Sequence, residues 1–156
     1  MIKIKDLISK NSVIIDLKQT DKFEAIAALA RFMCHVSDLA NTDEVVNQII
    51  ERETEMSTGI GYGIAIPHAR VPGIDRLYMA SARSPDGLEW NSLDDLPVNL
   101  IFMMISPTNT STEHTHALLT LSQIMSHEAV RQELLQTDTP ETFVDIIVSA
   151  EEKYVC

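Results

Sequence analysis

The sequence is poor in basic residues and has no long apolar run. Only 12 of its 156 residues are Lys or Arg, against 23 Asp or Glu, so the formal net charge is -11. Because nucleic-acid phosphates are held by clustered Lys and Arg, this balance argues against nucleic-acid binding and favours a basic protein partner. The longest apolar run, 100–105, is far shorter than the roughly 20 residues that span a bilayer. We therefore expect a protein that is not embedded in a membrane.

Cysteine is also scarce. The two cysteines form neither a CxxC pair nor a metal-ligand spacing. Cys34 lies in an apolar helical pattern and Cys156 is the final residue, so we interpret them as a small buried hydrophobe and a tail residue in a reducing compartment. The first residues, MIKIKDLISKNSV, lack the apolar core and cleavage site of a signal peptide. These features predict a cytoplasmic protein.

Helical and strand patterns alternate along the chain, and no repeat, low-complexity segment or long linker interrupts them. We therefore expect 1–156 to form one domain. Apolar residues at helical spacing predict a helix in 21–40, with Asp21 and Glu24 as a capping box. Further helices are predicted at 4–8, 42–56, 112–125, 127–135 and from Pro140; strands are predicted at 12–17, 64–66, 76–84 and 98–107.

The strand at 98–107 is apolar on both faces, which favours a central place in a sheet. It follows the strand at 76–84 without an intervening helix, so this pair is expected to be antiparallel. Strands interleaved with helices elsewhere favour parallel pairing. The predicted fold class is α/β, a three-layer sandwich with a mixed central sheet flanked by helices.

The stretch TGIGYGIAIPHARVPG, residues 58–73, resembles a phosphate-binding glycine loop at first sight. A dinucleotide fingerprint needs GxGxxG between a strand and a helix, whereas here GxGxG lies between a helix and a strand. The Walker loop needs a Lys and a Ser or Thr after its last glycine, and neither is present. Both nucleotide interpretations fail. The interpretation of the glycines as a flexible hinge between helix and strand is left as an alternative.

His68 follows Pro67 at the end of a predicted strand, where functional residues commonly lie in α/β folds. A lone histidine in a turn is otherwise most often a surface residue. The residues by themselves leave both interpretations open.

A second histidine-containing segment, STEHTHALLTLSQIMSHEA, has an HxH pattern that suggests a metal site. On a helix, His114 and His116 point about 200° apart and cannot share one ion. His114 falls on the apolar face, whereas His116 falls on the opposite face with Thr120 and His127, which we expect to be solvated. An inward polar ring needs a partner, either a backbone carbonyl or His68.

The segment ERETEMSTGIGYGIAIPHARVPG, residues 51–73, resembles the signature of enzyme IIA domains of the phosphoenolpyruvate-dependent phosphotransferase system (PTS). The resemblance is to the mannitol/fructose type, which includes the nitrogen-regulatory IIA proteins, and it extends from IKDLI to the final helix. Its Pro-His motif matches Pro67 and His68, and its upstream arginine matches Arg52. Its second histidine matches His114, counted back from SHEAVRQELL. One departure is Thr115, where leucine is commoner.

The resemblance implies that His68 is phosphorylated on Nε2, the tele nitrogen. It also implies that His114 hydrogen-bonds the phosphate oxygens and that Arg52 supplies positive charge. Gly61 and Gly63 are expected to let the backbone approach the histidines and frame the phosphate. Two alternatives remain for Arg70, namely support of the site or simple exposure to solvent. No metal and no organic cofactor is implied.

The same resemblance implies protein partners. The expected donor is the phosphocarrier HPr or its nitrogen-branch counterpart. Since the sequence contains no IIB or IIC segment, the expected acceptor is a cysteine on a separate IIB protein or domain. An alternative is a nitrogen-type regulator that signals to protein targets through its phosphorylation state. A non-catalytic interaction module is another alternative, weakened by the presence of both histidines and the arginine.

Overall fold

The structure, a computed structural model, describes residues 2–110 and 112–155, so Cys156 lies outside the described residues. Two 3-10 turns, Ile4–Asp6 and Lys10–Ser12, precede the first strand. The described helices are α1 (Lys22–Val36), α2 (Thr42–Glu55), α3 (Thr112–Met125), α4 (Glu128–Leu135) and α5 (Pro140–Tyr154). The described strands are β1 (Val13–Ile14), β2 (Gly59–Gly61), β3 (Ile64–Ala65), β4 (His68–Arg70), β5 (Tyr78–Leu88) and β6 (Val98–Ser106). Among these residues no helix is long and apolar enough to cross a bilayer.

The six strands form one mixed sheet in the order β1-β5-β6-β3-β2, and β4 also pairs with β6. β5 and β6 are antiparallel, whereas β3 and β4 both run parallel to β6. The mixed sheet, the antiparallel pair and the central place of the apolar strand β6 are therefore confirmed. Within β6 nearly every side chain is buried, because helices cover both of its faces.

The two faces of the sheet carry separate cores. Since side chains alternate along a strand, Ile101 and Met103 of β6 pack with α1 and α2, whereas Phe102 and Met104 pack with α3, α4 and α5. Phe102 and Phe143 lie tilted in this second core, with their ring centroids 6.1 Å apart. The predicted three-layer sandwich is confirmed.

Capping residues fix the starts of α1 and α5. Asp21 caps α1 as predicted, but the described contacts do not include the return hydrogen bond to Glu24 that would complete a capping box. The Asp21 carboxylate accepts hydrogen bonds from the backbone N–H groups of Phe23 and Glu24, both at 3.0 Å. Helix α1 begins at the residue after Asp21. Thr139 caps α5 in the same way, with Pro140 in the first turn.

One predicted boundary differs from the structure. Pro67 was expected to stop the strand, yet the chain resumes as β4 beside the same neighbour, β6. Proline lacks the N–H but keeps its carbonyl, which accepts a hydrogen bond from Met104 N at 3.0 Å. His68 is therefore the first residue of a strand, paired with Met104, and does not lie in a turn.

Candidate active site

A cleft of about 210 Å³ opens where β4 approaches α2 and α3. Strand β4 contributes His68 and Arg70, α2 contributes Arg52, and α3 contributes His114. Three segments that are far apart in the sequence thus place two imidazoles and two guanidinium groups around one small space. The guanidinium groups give the cleft two sites that suit an anionic ligand. The lining also includes two carboxylates of α2, those of Glu51 and Glu55.

The His68 ring is held in a defined orientation by its own strand. Its Nδ1 lies 2.8 Å from the carbonyl oxygen of Ile66, two residues earlier. Because a carbonyl can only accept, the neutral ring carries its proton on Nδ1 and its lone pair on Nε2. Burial lowers the pKa of His68, and the charges of Arg52 and Arg70 lower it further, although the Ile66 carbonyl opposes them. A neutral, nucleophilic ring at neutral pH follows.

His114 is the third residue of α3 and is only 3% exposed, so the inward orientation predicted from helical spacing is confirmed. Its ring faces His68, with the ring centroids 5.2 Å apart and the planes at 62°. Its hydrogen-bond partner is neither the backbone carbonyl nor His68, the two partners considered from the sequence, although the ring does face His68. Nδ1 lies 2.5 Å from Oγ of Ser106, a residue that sequence reasoning missed. The available signal was a serine at the end of an otherwise apolar strand.

The pKa of His114 is lowered to about 4, chiefly by burial, then by the charge of Arg70 and, where His68 is protonated, by His68. The ring is consequently neutral at pH 7 and carries one proton.

The two arginines are each anchored by one backbone carbonyl. Nη1 of Arg52 donates to the carbonyl of Met56 at 3.0 Å, and Nε of Arg70 donates to that of Thr110 at 3.1 Å. No other side-chain or backbone partner of either guanidinium lies among the described residues, so their remaining N–H groups can meet a ligand. Arg70 follows His68 by two residues on β4, so both side chains leave the same face of the strand.

Glu53, the neighbour of Arg52, turns inward instead. Its carboxylate is buried and accepts hydrogen bonds from Thr58 N at 2.7 Å and from Thr58 Oγ1 at 2.5 Å. Lys22 Nζ lies 3.0 Å from the same carboxylate and supplies the opposing charge. These contacts fix the end of α2 against the segment that leads to the histidine, and so help to position Arg52.

Comparison with known proteins identifies the family. The sequence matches the family described as phosphoenolpyruvate-dependent sugar phosphotransferase system, EIIA 2, over residues 6–150. The chain belongs to this family. The family predicted from the sequence is thereby confirmed. The roles of the motif residues stay predictions.

The relatives include sugar-specific and regulatory proteins. The fructose-specific EIIA component of Haloferax volcanii is 36% identical over 110 residues, which cover 70% of this chain and 71% of that protein. The fructose-specific EIIABC component of Bacillus subtilis is 32% identical over 94% of this chain, but the chain spans only 23% of that protein. The crystal structure of nitrogen regulatory protein IIA-Ntr from Neisseria meningitidis has a TM-score of 0.86 at 26% identity, covering 92% of this chain and 98% of that one.

The structure does not bring Gly61 and Gly63 to the cleft of this EIIA protein. Both have positive φ, +98° and +79°, and flank the turn between β2 and β3. The carbonyl of Gly63 accepts from Leu100 N, whereas His68 pairs with Met104 on the same strand. Four residues of strand separate them, about 13 Å. The expected phosphate framing by these glycines is wrong in position, and their conformational freedom serves the turn.

The other face of α3 also differs in part from the expectation. His116 and His127 are half-buried, and Thr120, which was assigned to the solvated face, is buried. The stacking of His127 on Tyr154 of α5, with ring centroids 3.6 Å apart, explains part of this burial. Among the described residues, no three His, Cys, Asp or Glu side chains are grouped to hold a metal ion. Metal independence of this EIIA protein stays a prediction.

The lowered pKa of His114 predicts a pH dependence of stability. Between the ordinary value of 6.5 and about 4, the unfolded chain binds a proton that the folded protein does not bind. The free energy of unfolding should therefore fall as the pH falls through this window, with about 1–3 kcal/mol due to His114. Urea unfolding at neutral pH and across the window checks this. The free energy of unfolding of His114→Gln should fall less steeply with decreasing pH than that of the parent protein. An equal fall in both proteins would contradict the assignment of this pH dependence to His114.

Proposed function

We propose that the protein is a phosphoryl carrier of the phosphoenolpyruvate-dependent sugar phosphotransferase system. It accepts a phosphoryl group from phospho-HPr, or from the nitrogen-branch counterpart, on Nε2 of His68 and passes it to a cysteine of a separate IIB protein or domain. It acts in the cytoplasm as one domain of residues 1–156 and needs no metal or organic cofactor. The observation that carries this proposal is the His68 ring, whose Nδ1 is held by Ile66 and whose Nε2 has no partner within residues 2–110 and 112–155, in a cleft that two arginines also line.

The chemistry follows from that orientation. As the N–P bond of the donor phosphohistidine breaks, its electron pair returns to the donor ring, and the lone pair on Nε2 of His68 forms the new N–P bond. Nδ1 keeps its proton on the Ile66 carbonyl, so the phosphorylated ring carries a formal positive charge next to the anionic phosphoryl group. In the second transfer a thiolate attacks phosphorus, a P–S bond forms, and the electron pair returns to Nε2.

The migrating group is anionic, and positioned positive charge and hydrogen-bond donors lower the barrier to its transfer. His114 faces His68, with the ring centroids 5.2 Å apart, and is placed to donate a hydrogen bond to a phosphoryl group on His68. Arg52 and Arg70 approach from α2 and β4 and supply the charge. For Arg70 we favour support of the site over simple exposure.

The arginine charges give a direct prediction. Arg52→Gln should slow phosphoryl transfer about 10- to 100-fold, because charge-assisted hydrogen bonds contribute about 1.5–3 kcal/mol. Arg70→Gln should slow transfer less, up to about 5-fold, because its guanidinium is exposed and screened. Rates of transfer from phospho-HPr measure both effects. Arg31→Gln, which removes an exposed charge on α1, is the control and should leave the rate unchanged.

The function is tested by reconstitution. Protein incubated with phosphoenolpyruvate, enzyme I and HPr should gain one acid-labile phosphoryl group, measured as an increase in intact mass. Addition of a IIB protein should then discharge it. Failure to gain the group with either HPr or its nitrogen-branch counterpart would contradict the proposal and leave a non-catalytic interaction module.

A second candidate is a nitrogen-type regulator, favoured by the likeness to IIA-Ntr over nearly the whole of both chains. It would take up the phosphoryl group but would not discharge it to any IIB protein. Binding to protein targets would then depend on phosphorylation of His68. The discharge step therefore separates the two candidates.

A further inference from the structure

Ser106 ends β6 directly beneath the histidine pair. It is fully buried and lies opposite Arg70 in the parallel register of β4 and β6. Its backbone carbonyl is already occupied by the N–H of Val71, at 2.9 Å. Because side chains alternate along a strand, Ser106 shares the face of Phe102 and Met104, which is covered by α3. The hydroxyl is thereby directed at His114.

The Ser106 hydroxyl and His114 Nδ1 lie 2.5 Å apart. Only one assignment of donor and acceptor satisfies the hydrogen-bonding needs of both groups. Within residues 2–110 and 112–155, His114 is the one hydrogen-bond partner of this hydroxyl. If Nδ1 carried the ring proton, the hydroxyl hydrogen would be buried without an acceptor, which costs about 1–3 kcal/mol. If Nδ1 carries the lone pair, the hydroxyl donates to it and no buried hydrogen is left unpaired. The ring proton then lies on Nε2.

We propose that Ser106 is a positioning residue that fixes His114 as the tautomer protonated on Nε2, so that this nitrogen donates to the phosphoryl group on His68. The part concerning the phosphoryl group rests on the proposed function. The two facing rings are then protonated on different nitrogens. His68 has its proton on Nδ1 and offers a lone pair, whereas His114 has its proton on Nε2 and offers a hydrogen bond. One ring is prepared as nucleophile and the other as donor before any ligand binds.

The tautomer is measured directly by two-bond ¹H–¹⁵N correlation spectra of the unphosphorylated protein labelled with ¹⁵N-histidine. For His114 we expect Nδ1 to resonate as an unprotonated nitrogen and Nε2 as a protonated one. His68 should show the reverse pattern. The Nδ1-protonated pattern for His114 in the parent protein would overturn the proposal, whether or not any variant folds.

Kinetics test the consequence for transfer. Ser106→Ala should mix the His114 tautomers and slow transfer from phospho-HPr about 10-fold, the effect of one lost hydrogen bond. In a His114→Ala background the same substitution should slow transfer no further, because Ser106 acts through His114. Ser81→Ala, which removes another fully buried strand hydroxyl, is the matched control and should change neither the tautomer nor the rate.

The outcomes separate this proposal from the proposed function. A parent protein that shows the expected tautomers but accepts no phosphoryl group would contradict the carrier role and leave the role of Ser106 in fixing the tautomer. A parent protein that accepts the phosphoryl group while His114 is protonated on Nδ1 would support the carrier role and overturn the role of Ser106 in fixing the tautomer. An equal slowing by Ser106→Ala in both backgrounds would overturn the claim that Ser106 acts through His114.

Discussion

A His68→Ala protein is expected to take up no phosphoryl group from phospho-HPr. In the described part of the chain, Nε2 is the nitrogen of His68 without a hydrogen-bond partner, because Nδ1 is held by the Ile66 carbonyl. Alanine offers no nucleophile, and His114 has Nδ1 occupied by Ser106 and, in the proposed tautomer, its proton on Nε2, so neither of its nitrogens offers a lone pair. The measurement is intact mass after incubation with phosphoenolpyruvate, enzyme I and HPr, with the parent protein alongside.

The control for this experiment is the fold of the variant. His68 is half-buried at the start of β4, so its loss should leave the sheet intact, which a cooperative urea transition would verify. His35→Ala on the exposed side of α1 removes a histidine away from the cleft and should keep full uptake. An acid-labile phosphoryl group that persists in folded His68→Ala would refute the assignment.

The second large effect is expected for His114→Ala, which should slow transfer about 10²- to 10³-fold. Loss of one preorganised donor at a developing anion typically costs about 2.7–4 kcal/mol of the barrier. The substitution also leaves the buried hydroxyl of Ser106 without its partner, so the free energy of unfolding should fall by about 1–3 kcal/mol. Single-turnover transfer from phospho-HPr and urea unfolding measure the two effects separately.

His116→Ala is the matched control, because it removes a histidine from the same helix on another face. It should change the transfer rate little. Its effect on stability can be larger than a fully solvated position implies, since His116 is half-buried. Equal rates for the parent and His114→Ala, or a larger loss of rate in His116→Ala, would show that the second histidine has been misassigned.

The features that were predictable from the sequence depend on local pattern. The two-sided apolar character of β6 indicated its central place, and the absence of a helix before it indicated an antiparallel partner. Helical spacing also placed His114 inward, because a rotation of about 100° per residue needs no knowledge of the rest of the fold. The family motif then connected His114 with His68, and the two rings do face each other.

The features that were not predictable depend on contacts distant in sequence. The partner of His114 is set by the register of β4 and β6, which brings Ser106 beneath α3. Gly61 and Gly63 are close to His68 in sequence, but the extended chain between them carries the turn along β6 and away from the cleft. Thr120 is buried although its helix pattern indicated exposure. The pattern of one helix does not show which other helices pack against it, and α4 and α5 both contact α3.

The most direct test of the central claim is the position of the phosphoryl group. Protein labelled with ¹⁵N-histidine is phosphorylated through enzyme I and HPr, and the nitrogen bonded to phosphorus is identified by ³¹P–¹⁵N coupling, with the His68 resonances assigned by comparison with His68→Ala. We predict coupling to Nε2 of His68, while Nδ1 stays protonated on the Ile66 carbonyl. Coupling to Nδ1 of His68, or to either nitrogen of His114, would contradict the account.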